Sequence, residues 1–218
     1  MPKVRLRTKG RSVSSKRWLE RQLNDPYVAR AKAEGLRSRA AFKLADIDDR
    51  HHLLKPGRSV VDLGAAPGGW SQVAARRVGA DEGRGRVVAI DLLPMEPIAG
   101  VSFAQLDFLD PATPLRLRDM LGGPADVVLC DMAPAATGHA GTDHLRSLAL
   151  AEAGFAVAAE ILGPGGSFVA KLRQGGAEGD LLAALKRCFA ELRQAKPPAS
   201  RAESAETYIV ARGFRRAR

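Results

Sequence analysis

The chain has 218 residues, 45% of them hydrophobic, and carries 34 lysines and arginines against 24 acids for a formal charge of +10. That is enough for one domain with a full core, argues against a second domain, and favours a polyanionic partner. No segment reaches the roughly 18 apolar residues of a membrane span, and no apolar stretch follows the basic N-terminus, so a cytoplasmic protein without a membrane partner is expected.

The charge is unevenly placed. Residues 1–17 hold Lys3, Arg5, Arg7, Lys9, Arg11, Lys16 and Arg17 with no acid, and the last seven residues hold Arg212, Arg215, Arg216 and Arg218 with no acid, which leaves the middle close to neutral. Segments of this kind bury too little to fold alone and become ordered on phosphates, so RNA or DNA is the expected partner. A second basic stretch (Arg30, Lys32, Arg37, Arg39, Lys43) adds to that reading. The expected organisation is a basic arm over 1–16, one domain over 17–212 and a basic tail over 213–218. Cys130 and Cys188 lie in apolar runs without metal-ligand spacing and read as reduced core residues.

Asp25-Pro26 is a helix start, with the aspartate as cap and proline at the first helical position, and the helix is expected to run to about His51. Leu36, Ala40, Leu44 and Ile47 form its apolar stripe, and Lys43 falls about 20° from Leu36 by the 3.6-residue period. From the helix alone, Lys43 reads as a side chain that buries its stem and sends its ammonium to water. Strand one is expected over Ser59–Leu63 and leads into Asp62-Leu63-Gly64-Ala65-Ala66-Pro67-Gly68-Gly69-Trp70, a strand, glycine loop and helix transition. Small residues there let the chain turn and let a ligand approach the backbone. The loop matches neither GxGxxG nor the Lys-Ser/Thr of a phosphate-gripping loop, so it reads as a seat for a nucleoside.

The helix after the loop is expected over Gly68–Val78. Strands follow over Arg86–Ile90, ending at Asp91, over Val101–Leu106, ending at Asp107, and over Val127–Cys130, ending at Asp131. A long helix from about Asp143 to Ile161 precedes strand five, Ser167–Lys171. After a helix over Gly179–Phe189, a marginal strand is expected near Leu192–Lys196. Apolar strands alternating with helices specify a parallel sheet covered on both faces. The last strand, Glu206–Ala211, follows without a helical crossover and should be antiparallel. Glu206 then reaches the carboxyl edge of the parallel strands, where such sheets bind ligands. Asp91 lies 22 residues past Gly69, the separation at which an acid after strand two accepts bonds from ribose hydroxyls. Asp107 suits an exocyclic amine. His51, His52, His139 and His144 show no metal-ligand spacing, and no metal is expected.

Asp62 to Trp70, Ile90-Asp91-Leu92-Leu93-Pro94-Met95, Asp131-Met132-Ala133-Pro134, Gly165 to Lys171 and Leu36 to Leu44 closely resemble, in order and spacing, the FtsJ/RrmJ ribosomal RNA ribose 2′-O-methyltransferases of bacteria. The resemblance runs from about Ser14 to Arg212. It implies an α/β Rossmann-like class I S-adenosylmethionine-dependent methyltransferase, with a seven-stranded mostly parallel sheet and an antiparallel last strand. It also implies a catalytic tetrad of Lys43, Asp131, Lys171 and Glu206, which revises the reading of Lys43. The implied contacts to S-adenosyl-L-methionine are Gly64, Gly68, Trp70, Asp91, Asp107 and Asp131.

The implied reaction is methylation of a large-subunit (23S) ribosomal RNA uridine in the loop that receives aminoacyl-tRNA, on the assembled large ribosomal subunit, by a monomer. The sequence departs from the family pattern at Ala135, where an asparagine is typical, at Ala41, where an aromatic is typical, and at Leu172-Arg173, where an apolar pair is usual. Three other readings compete: a tRNA ribose methyltransferase, an inactive RNA-binding assembly factor and a nicotinamide-dependent oxidoreductase. The second calls for a broken tetrad, and the third fails at the glycine loop.

Overall fold

The computed structural model describes residues 16, 19, 20, 22–135, 137–201 and 203–215, so the expected arm over 1–16 lies outside the described residues except for Lys16, as do the last three residues of the tail. Helix α1 is Pro26–Ala33, with Asp25 Oδ1 accepting the Tyr27 N–H at 3.0 Å, and α2 is Ala40–His51. The sequence suggests one helix here, but Gly35 divides it. Gly35 adopts φ +66°, the Leu36 N–H returns to Ala31 O at 2.8 Å and the Gly35 N–H to Lys32 O at 3.3 Å. That is a Schellman end, which glycine forms without a Cβ penalty. Leu36 therefore leaves the helical stripe but still packs against the core.

Strand β1 (Ser59–Leu63), α3 (Gly69–Val78), β2 (Arg86–Asp91), β3 (Val101–Gln105), α4 (Thr113–Leu121) and β4 (Ala125–Cys130) follow. Then come α5 (Ala140–Ile161), β5 (Leu162–Arg173), α6 (Gly179–Cys188), β6 (Phe189–Ala195) and β7 (Glu206–Phe214). The seven strands form one sheet in the order β3-β2-β1-β4-β5-β7-β6. The pairs β1–β2, β2–β3, β1–β4 and β4–β5 are parallel, and β7 runs antiparallel to both β5 and β6. The chain moves outward from β1 in both directions, so the topological switch point lies between β1 and β4, where ligands bind in such sheets.

Several boundaries differ from expectation. β3 stops at Gln105, which leaves Asp107 two residues past its end; β5 and β7 are longer; and α5 starts at Ala140, with His139 as its cap. The strand expected as marginal is a full edge strand, because Phe189 and Ala195 are buried at its ends.

Side chains alternate between the two sheet faces. Phe168, Ala170, Leu172, Ile209 and Ala211 pack against α5 and α6, whereas Val169, Tyr208 and Val210 pack with Trp70 and Leu44 beneath α2 and α3. Cys130 is buried and free, and burial pushes its thiol up to about 12; Cys188 is also free but only half-buried at the end of α6, against the expectation of a core position.

Candidate active site

The carboxyl ends of β1, β2 and β4 surround a cavity of about 660 Å³ whose walls include Gly64, Asp91, Leu92, Phe108, Asp131 and Met132. Gly64 makes the floor possible. Its φ is +74°, its N–H donates to Ile90 O at 2.9 Å, and a Cβ there would overlap Met132 Cγ. The Asp91 carboxylate is aimed by two backbone donors, Ala66 N–H at 2.9 Å on Oδ2 and Leu93 N–H at 2.8 Å on Oδ1.

Three of the six residues assigned to the cofactor, Gly64, Asp91 and Asp131, line this cavity, and Gly68, Trp70 and Asp107 stand outside its lining. Gly68 is the left-handed cap of α3, with φ +106°. Asp107 accepts the Leu109 N–H at 2.9 Å, while its neighbours Leu106 and Phe108 reach the cavity. Trp70 is only 3% exposed; its Nε1–H donates to Ala40 O at 2.9 Å and its ring lies 5.7 Å from that of Tyr208. The resemblance placed it against the cofactor, and the structure makes it the packing link between α3, α2 and β7.

Asp62, just behind the cavity, is a buried carboxyl that the sequence reading left without a role. It lies inside β1, fully buried, with Ser71 Oγ donating to Oδ2 at 2.6 Å and with Oδ1 unpartnered. Burial first, and then the charges of Asp131 and Asp91, push its carboxyl up to about 7, although the Ser71 bond acts the other way. The signal available in the sequence was a carboxylate set within an apolar strand.

The tetrad assembles where β4, β5, β7 and α2 meet. Asp131 is the first residue after β4, Lys171 pairs in register with Tyr208, and Glu206 lies opposite Arg173. Lys43, in the first turn of α2, is only 7% exposed, because its Nζ pairs with Glu206 Oε1 at 2.6 Å instead of reaching water. Lys171 Nζ donates to Asp131 O at 2.7 Å and pairs with Asp131 Oδ1 at 3.1 Å. Two cations thus face two carboxylates. Burial alone would raise the Glu206 carboxyl, but Lys43, Lys171 and a bond from Ser200 Oγ at 3.0 Å outweigh it and hold the group below its usual range.

Tyr208, which the sequence reading did not single out, joins the two pairs. Its fully buried hydroxyl lies 2.9 Å from Asp131 Oδ1 and 3.0 Å from Glu206 Oε1, and its single proton serves one carboxylate at a time. Burial and both neighbouring charges raise it well above the ordinary tyrosine value. The period of two along β7, which puts residues 206 and 208 on one face, was the clue to it. A smaller cavity of about 120 Å³ opens beside the tetrad, bounded by Lys171, Arg173, Ser147 and Glu206. Ala133 and Pro134 form a wall shared by both cavities.

The second basic stretch is largely committed within the protein rather than presented to a partner. Arg37 donates to Pro67 O at 3.2 Å, Glu96 O at 2.6 Å and Pro97 O at 2.7 Å, tying the glycine loop to the segment before α2. Arg30 pairs with Glu34 at 2.7 Å, Arg39 with Asp25 at 3.1 Å, and Lys43 with Glu206 at 2.6 Å. Among the described residues no group of three or more His, Cys, Asp or Glu is placed to hold a metal ion, and no helix is long and apolar enough to cross a membrane.

Comparison with known proteins shows the family and the fold. The family model described as FtsJ-like methyltransferase matches residues 36–214. A relative from Azorhizobium caulinodans, named ribosomal RNA large subunit methyltransferase E, is 61% identical over 214 residues, covering 98% of this chain and 89% of its own. One of the same name from Bradyrhizobium diazoefficiens is 62% identical over 213 residues, covering 97% of this chain and 93% of its own. A crystal structure from Plasmodium falciparum, described as a ribosomal RNA methyltransferase, superposes with a TM-score of 0.72 at 28% identity, over 82% of this chain and 98% of that one. The match over the whole domain, the near full-length relatives and the shared sheet together place this chain in the FtsJ-like methyltransferase family.

Proposed function

We propose that this chain methylates a ribose 2′-hydroxyl of large-subunit ribosomal RNA with S-adenosylmethionine as donor, acting in the cytoplasm as a monomer on the assembled large subunit, with the uridine of the aminoacyl-tRNA-receiving loop as target. The observation that carries the reading is the pair of cavities sharing the Ala133-Pro134 wall, with Lys171 on the smaller one and Asp131 on the larger. One cavity suits a methyl donor and the other an acceptor. The names of the relatives, ribosomal RNA large subunit methyltransferase E, support the choice of RNA.

The residues present fit the donor. A volume of about 660 Å³ lies within the roughly 300–1,000 Å³ range of small-molecule sites, and its walls are mainly apolar. The carboxylates Asp91 and Asp131 line the cavity, an arrangement that favours a cationic ligand, and behind them Oδ1 of the buried Asp62 is unpartnered. When bound, S-adenosylmethionine supplies an electrophilic methyl group on a positively charged sulfur. The task of the chain is then to hold and activate a weakly nucleophilic hydroxyl.

Lys171 uses two of its three N–H donors on Asp131, and the third can reach a hydroxyl oxygen in the smaller cavity. There it stabilises the negative charge that develops on the oxygen, while the hydroxyl proton leaves to water. Asp131, Tyr208, Glu206 and Lys43 keep the Lys171 ammonium in place as one connected network. Positioning supplies the remainder of the acceleration.

Lys171→Ala is expected to lower methyl transfer by about a hundredfold or more, the scale for loss of one charge-stabilising donor, while S-adenosylmethionine still binds by calorimetry. Near-normal transfer by the variant would overturn the role. Offering large ribosomal subunits, free ribosomal RNA and tRNA to the wild-type protein with radiolabelled donor tests the substrate, and label on tRNA alone would replace the ribosomal reading.

A further inference from the structure

At the edge of the sheet opposite the tetrad, β5 begins, β7 ends and the turn after α2 passes beneath them. A polar recess of about 280 Å³ lies there, and Lys55, Arg58, Arg212, His52 and Glu191 line it. Arg193 on β6 and Arg215 just past β7 stand beside it. Two of these cations, Arg58 and Arg215, are held in place without being neutralised. Arg58 Nη1 donates to Leu53 O at 3.0 Å and Arg215 Nη2 to Phe189 O at 3.0 Å, both neutral acceptors. Lys55 is exposed and has no counter-ion among the described residues.

Glu191 is the one acid lining the recess, and it is shared between Arg193 Nε at 2.9 Å and Arg212 Nη1 at 3.4 Å. Of the nearby acids, Asp126 accepts the Ser59 N–H at 2.8 Å, and Asp48 and Asp49 are occupied by Arg77 at 2.6 and 2.7 Å. The positive field reaches His51, which is held below its usual value first by burial and then by Arg212. By contrast, Arg39 and Arg201 both pair with an acid, Asp25, at 3.1 and 3.0 Å. In the recess Arg58 and Arg215 are oriented by carbonyls while Arg193 and Arg212 share one acid, so positive charge stays in excess, which is what a polyphosphate surface requires.

We propose that this recess binds backbone phosphates of the same RNA substrate, on a stretch remote from the target ribose. It rests on the reading of the substrate as ribosomal RNA. Ser167, in its wall, is four residues along β5 from Lys171, about 13 Å at the rise of a strand, and it lies at the other edge of the sheet. Phosphates flanking the target nucleotide therefore do not fill it, and the contact belongs to a distant part of the strand or to a neighbouring RNA helix. A large folded RNA offers such a second contact and a short oligonucleotide does not.

The test compares the full-length protein with Lys55→Gln, with the pair Lys55→Gln and Arg212→Gln, and with Lys55→Arg. Arg58 is left in place because it holds a carbonyl. Dissociation constants for large ribosomal subunits and for a long ribosomal RNA fragment are measured over a range of salt, together with methylation at saturating substrate. Each neutralised cation is expected to weaken binding roughly three- to tenfold near physiological salt and to reduce the slope of log K against log salt by about 0.7–0.9. Lys55→Arg should retain both, and the saturated rate should not change.

Unaltered affinity and slope for the paired variant, with unaltered melting, overturn the proposal. So does weakened binding to polyglutamate with RNA binding intact, which would assign the recess to an acidic protein. If the wild-type protein leaves ribosomal subunits unmethylated, the substrate reading fails separately, and the slope on long RNA still decides the recess.

Discussion

Asp62 illustrates how a single residue couples stability to pH. An unfolded chain loses the aspartate proton near 4, whereas burial keeps it on the folded protein to about 7. Between those values the unfolded state binds fewer protons, so this residue's contribution to stability is complete below about pH 4 and is lost as pH rises through about 7. Thermal melts from pH 5 to pH 8 should show the midpoint falling, and Asp62→Asn should flatten that fall. An equal slope in the variant would place the pH dependence elsewhere. Lys43 makes a complementary point, since its helical position alone suggested an ammonium in water and its pairing with Glu206, 163 residues away in the chain, reversed that.

At the level of elements, the strand, glycine loop and helix around residues 62–70 were readable because a turn of that shape demands small residues. Gly64 carries the demand most directly. Gly64→Ala would strain a φ of +74° and drive Met132 into the cavity, since the new Cβ would overlap Met132 Cγ. The variant should lose about 1–2 kcal/mol of stability, the scale for a left-handed residue that gains a Cβ, and should bind S-adenosylmethionine at least tenfold more weakly by calorimetry. Unchanged donor affinity would separate the cavity floor from the donor site. Helix boundaries were less legible. Gly35 ended α1 through hydrogen bonds that a helical periodicity does not register, and α2 thereby became a separate element that starts just before Lys43.

Across the whole molecule, β5 is the central support. Phe168 is fully buried on it, between β4 and β7, and meets Phe155 of α5 at 6.0 Å. Phe168→Ala should cost about 3–5 kcal/mol, a fall in Tm on the order of 10 °C for a chain of this length, read by calorimetry. A change of only a degree or two would mean that β5 is less tightly packed against α5 than the contact of Phe168 with Phe155 indicates.

The sequence by itself determined the fold class and the sheet edge at which Asp91, Asp131, Lys171 and Glu206 gather, whereas the tetrad was implied by the family resemblance. Alternating strands and helices specify a parallel sheet covered on both faces, and charged residues ending several apolar strands mark its carboxyl edge. Only the tertiary structure decided that Trp70 packs in the core, that Tyr208 bridges Asp131 and Glu206, and that most of the second basic stretch is neutralised within the protein while the rear recess is not. Those outcomes depend on which side chains meet across strands distant in sequence, and neither spacing nor composition carries that information.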